Sequence, residues 1–337
     1  MRLKGIRIAI KAINLLTLQC DVIASACYNG HMNHIELIQL KQKEWTEIQG
    51  FSSKGRRVKT WYERISDGEV YLYKEPKRYS STDFVTKEIW TELLAYKIGT
   101  YIGLNVPEAI PATDGSNYGI LIKSFLRRGD AGMPAIELAE ASDILGALES
   151  KLSHNLQTIK LLASAPFIDN NMWVNFRKML IFDCLIGNND RHDENWGILY
   201  GAAMQKFTLA PIYDNASCLT AGETEDKVEI LLNDNLKLEQ FVNNSKPPNL
   251  YLNSRDSRHY KHFEIMEHLI KTEPDMIDLI SDILKQDYLS YTEGVLAKIH
   301  QVDVPEIYKL SDTRCKVILK ILECRRKKLK DLVDVHS

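Results

Sequence analysis

The stretch GNNDRHDENWGIL, Gly187 to Leu199, decides how this chain is read. It follows MWVNFRKMLIFDCLI (Met172–Ile186), whose apolar residues recur at helical spacing almost all round, and it precedes a short apolar run. A buried helix feeding a polar loop predicts that the loop is held rigidly at the floor of a cleft. The loop offers Asp190, His192 and, five residues after the aspartate, Asn195. Fifteen residues beyond Asn195 begins APIYDNASCL, with Asp214 at the end of a second apolar strand. Two carboxylates and an amide oxygen are hard ligands, suited to Mg²⁺ rather than zinc. Phosphoryl transfer uses such a set: one aspartate orients the attacking hydroxyl, and an asparagine and a later aspartate hold metal. Any one of these residues alone reads as a turn or cap residue; the ordered set does not. His192 reads two ways, as a brace of the loop or as a phosphate contact.

Working upstream, such a site needs a cation for the nucleotide phosphates, usually a strand lysine held by a helix glutamate. Lys74 ends the strand-like EVYLYKE, and the alternation Val70, Leu72, Lys74 turns it inward on an apolar face. An inward lysine calls for a partner. Residues 84–102 carry a helical pattern, and Glu92 within it is the expected partner, with Glu88 one turn earlier as the rival. VKTWYERI and YGILIKSF (118–125) read as further strands, IELIQL as another, and GLNVPEAIPA as an extended connection. Helical periodicity follows over 135–165, 172–186, 260–284, 289–300 and 313–334, with a loop at 246–258. The expected architecture is α+β and bilobal, with a 1–34 extension, a small mixed lobe over 35–128 and a larger, mostly helical lobe over 129–337.

Composition sets the outer bounds. With 337 residues, 45% hydrophobic and 26% charged, the chain is ordinary globular material. Its 43 Lys+Arg nearly balance 45 Asp+Glu, which argues against a bulk grip on nucleic acid. A local basic run, RRKKLK at Arg325–Lys330, reads either as a solvated helix face or as a stripe that touches DNA. No two of the six cysteines form C-x-x-C, so zinc-ribbon and redox sites are unsupported and reduced thiols are expected. No apolar run is long enough to span a membrane. The N-terminus has a basic start, an apolar stretch and ASA at 24–26, but Lys11 and Asn14 interrupt it, so the expected location is cytoplasmic, with secretion as an effector the alternative.

These residues carry a family resemblance. GNNDRHDENWGIL with LAPIYDNASCL is similar to the catalytic and metal-binding motifs of the HipA-like serine/threonine kinases. YLYKEP resembles the phosphate-lysine strand of that family, and WTELLAYKIGTYIGLNVPEA its helix, with Glu92 eleven residues before Gly103. SSKGRRVK (52–59) resembles its phosphate loop. The resemblance implies a protein-kinase-like fold with ATP and Mg²⁺ as cofactors. It implies that Asp190, His192, Lys74 and Glu92 are catalytic and that Asn195 and Asp214 hold the metal. Ser52, Ser53, Gly55 and Lys59 would contact ATP phosphates beside Lys74, and a hinge at Lys123–Leu126, Phe125 included, would meet the adenine. Ser52 lies three residues before Gly55 and seven before Lys59, which implies autophosphorylation at Ser52 or its neighbour Ser53. The segment 215–235 would be the activation loop. Implied partners are a protein substrate and, by analogy, a small antitoxin-like protein, with DNA reached only indirectly. Only 35–45 residues precede the kinase core, fewer than in full-length toxins of the family, so the toxin role is not carried over. The alternatives are a lipid or small-molecule kinase and a catalytically silent interaction module.

Overall fold

The computed structural model describes residues 34–49, 59–81, 83–129, 134–146, 154–253, 255–256 and 258–337. The chain divides into a unit Met1–Glu36 and a unit Leu37–Ser337, and all that follows concerns the second.

Six strands form the sheet of the smaller lobe: β1 (Ile38–Gln39), β2 (Trp45–Ile48), β3 (Lys59–Arg64), β4 (Glu69–Lys74), β7 (Ala109–Thr113) and β8 (Tyr118–Lys123), in the order β1-β7-β8-β4-β3-β2. Only the β1–β7 pair is parallel. A short hairpin of β5 (Arg78–Tyr79) and β6 (Phe84–Val85) leads into α1 (Glu88–Tyr101), which packs on β7 and β8. The helix expected over 84–102 thus starts later, after a strand. The connection expected at 103–112 contains β7, whose Pro111 falls opposite the position before β1 begins and so forfeits no ladder bond there.

Strand β4 alternates as the sequence implies, but its two faces are exchanged. Tyr71 and Tyr73 enter the lobe's core with Leu40, Trp45, Ala112 and Leu121. Lys74, with Leu72, lines the cleft instead. The aromatic rings bury more apolar area than the aliphatic partners, and their hydroxyls find Glu108 and the Asn117 carbonyl at 3.1 Å each.

The larger lobe is built around α4 (Met172–Ile186), buried along most of its length, and α10 (Asp312–His336). The region expected to be helical over 135–165 holds β9 (Glu137–Glu140) and two short helices, α2 (Ala141–Gly146) and α3 (Leu156–Ala163). Strand β9 pairs with β10 (Gly197–Tyr200), which also pairs with β11 (Thr208–Leu209). A Cβ at Gly197 would meet the Ala139 carbonyl at 2.3 Å, so the close approach of these strands requires glycine. Within 215–235, expected to be a loop, lies α5 (Glu225–Asn233), followed by α6 (Asn235–Asn244). The 260–284 pattern is two helices, α7 (His262–Thr272) and α8 (Met276–Leu284), and α9 (Tyr288–Ile299) packs on α1. Tyr101 and Tyr291 stack there with centroids 4.2 Å apart.

One expectation about surface chemistry changes. Arg325, first of the basic run, is buried; it donates to the Cys184 and Val242 carbonyls and to Ser245 Oγ. The stripe that would touch DNA therefore loses its leading cation to the interior, and Arg326 donates to the Leu284 carbonyl. Cys184, Cys218, Cys315 and Cys324 are free thiols. Among the described residues no helix is long and apolar enough to cross a membrane.

Candidate active site

A cleft of about 340 Å³ opens between the two lobes. Lys59 and Lys74 stand on its upper wall, Lys123 and Phe125 at the hinge, and Asp190, His192, Asn195 and Asp214 on its floor. Ser52, Ser53 and Gly55 lie outside the described residues.

The floor is fixed from beneath. Helix α4 ends at Gly187, whose φ of +66° is the left-handed form glycine adopts freely, and a Cβ there would meet Arg325 at 2.6 Å. The next residues turn back onto the helix. Asn188 Nδ2 donates to Asp183 Oδ1 at 3.0 Å, and its Oδ1 accepts the Asp190 N–H at 3.1 Å. Arg191 points into the protein and donates from Nε to Asp183 Oδ2 and from Nη2 to Asp183 Oδ1 and Asn215 Oδ1. Its Nη1 reaches the carbonyls of Asn195 and Tyr213. One guanidinium thus joins helix α4, the loop after it and the segment that carries Asp214, which is not the strand the sequence suggested: the strand before it, β11, ends at Leu209.

That anchoring turns the neighbours of Arg191 outward. Asp190 faces the cleft with Ser217 Oγ 3.4 Å from its Oδ2. Asn195 donates through Nδ2 to the Asp190 carbonyl at 2.6 Å, which commits its amide nitrogen to the loop. His192 accepts the Glu194 N–H at Nδ1, 3.2 Å away, and its Nε2 stands 3.9 Å from Asp190 Oδ1. Of the two readings of His192, loop bracing has a contact behind it. Trp196 Nε1 donates to His154 Nε2, and His154 Nδ1 faces the Asn249 carbonyl, which sets its tautomer.

Lys74 donates to Asp214 Oδ1 at 3.0 Å. Its expected partner Glu92 is buried and accepts instead from Asn215, whose backbone N–H lies 3.0 and 3.2 Å from the two carboxylate oxygens. The pairing of Lys74 with Glu92 is therefore corrected: the lysine charge is felt by Glu92 but the bond goes to Asp214. The rival Glu88 accepts the Lys77 N–H at 3.0 Å. Burial opposes ionisation of Asp214, yet Lys74, Lys59 and Arg191 outweigh it and hold the carboxyl down at about 2. Burial, joined by Asp214, pushes the Glu92 carboxyl up. Asp214 also sits at a φ of +57°, a strained backbone for a non-glycine residue, kept by this ring of contacts.

At the end of β8, where the sequence suggested a hinge, Lys123 Nζ is 3.0 Å from Glu69 Oε1, and the Phe125 ring lies 5.4 Å from that of Tyr213. The segment after Asp214 is held on two sides. Thr91 Oγ1 donates to the Ala216 carbonyl at 2.6 Å and the Lys87 N–H to the Ala221 carbonyl at 2.8 Å. From α10, buried Arg314 donates to the Thr220 and Glu223 carbonyls and to Glu225 Oε1.

The donor set suits a hard cation. Asn195 and Asp214 supply an amide oxygen and an ionised carboxylate to one cleft. Two such oxygens suit Mg²⁺, which takes one or two protein oxygens and completes its shell with phosphates and water.

Sequence reasoning missed Arg191, Asp183 and Asn215. The signal was present: Asp183 is a lone carboxylate inside an apolar helix, and a buried charge requires a partner.

Comparison with known proteins follows the same lines. Serine/threonine-protein kinase CtkA of Helicobacter pylori is 27% identical over 177 residues, which are 50% of this chain and 51% of CtkA. The chain thus matches about half the length of that curated relative. The crystal structure of a Helicobacter pylori proinflammatory kinase CtkA superposes with a TM-score of 0.70 at 20% identity, over 89% of this chain and 97% of that one. The HipA of a Shewanella oneidensis toxin–antitoxin complex with HipB and operator DNA matches at a TM-score of 0.48 and 10% identity, over 90% and 67% of the two chains. With a bilobal, protein-kinase-like fold and a family model that matches residues 50–287, the chain belongs to the HipA-like C-terminal domain family.

Proposed function

We propose that this protein is an ATP- and Mg²⁺-dependent serine/threonine protein kinase. The observation that carries the reading is the convergence of Lys74, Asp190, Asn195 and Asp214 on one interlobe cleft, with Asp214 kept ionised by the cations around it. The name of the relative CtkA supports the same reading. Asp190 accepts the proton of the acceptor hydroxyl as its oxygen bonds to the γ-phosphorus and the bond to the β-phosphate oxygen breaks, releasing ADP. Lys74 serves the α/β-phosphates, and the segment Lys123–Leu126 borders the adenine. Asn195 and Asp214 would hold Mg²⁺, which would supply positive charge against the phosphates. The basic segment GFSSKGRRVK (50–59) would be modified at Ser52 or Ser53, and that modification would switch the enzyme off. The test is transfer of labelled phosphate from ATP to protein acceptors and, separately, to lipid. Labelled protein that depends on Asp190 supports the reading; label in lipid alone overturns it. Growth of a host expressing the wild type or Asp190→Ala tests a toxin role.

A further inference from the structure

A second concavity, about 680 Å³, lies beside the active site on the larger lobe, between α5, α6 and the loop that follows them. Asn189, the residue before Asp190, lines its inner end. Its apolar surface comes from Ile230, Leu231, Phe241 and Pro248. Ile230 is 52% exposed there, and with Phe241 and Pro248 beside it the apolar surface is contiguous rather than scattered. Every charged residue on the wall is a lysine: Lys227, Lys237 and Lys246. Lys227 pairs with Glu223 at 2.6 Å, whereas Lys237 and Lys246 are exposed and make no ion pair among the described residues. Asp234, on the same helix pair, is engaged as the cap of α6.

The groove is also tied in register to the catalytic loop. Lys246 donates its backbone N–H to Asn189 Oδ1 at 3.0 Å. Ser245 takes a bond from Arg325 Nη2 at 2.6 Å, while Nη1 of the same guanidinium holds the last turn of α4 through the Cys184 carbonyl. His262 joins the two from the other side: its N–H meets the Ser245 carbonyl and its Nε2 donates to the Asn188 carbonyl at 2.8 Å. A ligand seated in the groove is therefore held at a fixed offset from Asp190.

We infer that this groove docks the protein substrate, taking a segment in which an apolar side chain is flanked by carboxylates and so presenting a nearby serine or threonine to Asp190. The apolar residue covers Ile230 and Phe241, and the carboxylates meet Lys237 and Lys246. The inference rests on the kinase reading above, and its test separates the two.

Fluorescence anisotropy with two synthetic serine peptides makes the measurement. One carries a leucine–phenylalanine pair flanked by glutamates, and the other is identical with lysines in place of the glutamates. The wild type and Asp190→Ala should bind the acidic peptide alike and prefer it to the basic one. The double variant Lys237→Glu/Lys246→Glu, at exposed positions and checked for unchanged thermal unfolding, should lose about tenfold in affinity for the acidic peptide and gain for the basic one. Ile230→Asp should weaken both. In phosphotransfer the double variant should raise KM for the acidic peptide at unchanged kcat. Equal binding of the two peptides by the wild type, or unchanged binding by the double variant, overturns the groove assignment. A wild type that binds the acidic peptide yet labels no acceptor overturns the kinase reading and leaves the groove standing.

Discussion

Arg191 and Asp183 form a buried two-bond ion pair, Nε to Oδ2 at 2.9 Å and Nη2 to Oδ1 at 3.0 Å, at 1% and 0% exposure. The pair lies directly behind the cleft, and the same arginine holds the carbonyls of Asn195 and Tyr213. Residues on either side of Arg191 in sequence can face the cleft because Arg191 does not.

Removing one partner of a buried pair leaves the other charge unpaired. Arg191→Met should lower unfolding free energy by about 3–5 kcal/mol. Arg191→Met/Asp183→Leu should recover much of that stability, because both charges are gone. Urea unfolding of the two single variants and the double variant measures the coupling. Phosphotransfer should stay lost in the double variant, since the loop has lost its anchor.

Asp190→Ala and Asp214→Ala should differ in kind. The first should cut turnover by about a hundredfold to ten-thousandfold while leaving Mg-ATP binding intact. The second should lose turnover and nucleotide affinity together, because Asp214 would share the metal with the phosphates. Calorimetric titration of Mg-ATP beside turnover assays separates them.

Lys74→Arg should be nearly inactive, because a planar guanidinium does not replace a compact ammonium between Asp214 and phosphate. Glu92→Gln should be milder, because Glu92 bonds to Asn215 and not to Lys74. Glu92→Ala leaves the Asn215 N–H buried and unpaired and should cost about 1–3 kcal/mol. Thermal unfolding and turnover of the three variants check the order.

Burial, helped by Arg325, lowers the His262 pKa from 6.5 to about 3. The native protein therefore keeps this histidine neutral while the unfolded chain protonates below 6.5. The unfolded state then binds more protons, so stability falls as pH drops from 6.5 toward 3, by about 1.4 kcal/mol per pH unit from this group. His262→Gln, an amide that never titrates, should show a flatter decline than the parent. Urea midpoints at a series of pH values give the difference.

Ser52 or Ser53 should acquire phosphate when the enzyme is incubated with Mg-ATP, and activity should fall as it does. The added charge of about −1.5 to −2 repels the nucleotide phosphates and attracts Lys54, Arg56 and Arg57. Mass spectrometry of the wild type and Asp190→Ala checks it: the label should appear only in the former.

How legible these features were depended on how local their causes are. Helices α4 and α10 were read correctly because their apolar spacing runs over four turns or more. Helix α6 was missed because only Leu238 and Val242 are buried in it. The chemistry-bearing residues of the cleft could be picked by type and order, but their pairing could not. Lys74 and Glu92 are close in sequence, yet the lysine's bond crosses to Asp214, 140 residues away. Arg325 looked like surface charge because nothing in RRKKLK tells that the end of α4 and Ser245 converge on it.

Arg314 comes from the first turn of α10 and grips the backbone after Asp214 at Thr220 and Glu223. Many enzymes wait for a covalent tag to supply the charge that stiffens such a segment. Here an arginine of the chain itself supplies that charge. Damage to the start of α10, remote in sequence from the cleft, should therefore loosen the backbone beyond Asp214 and weaken the fold together.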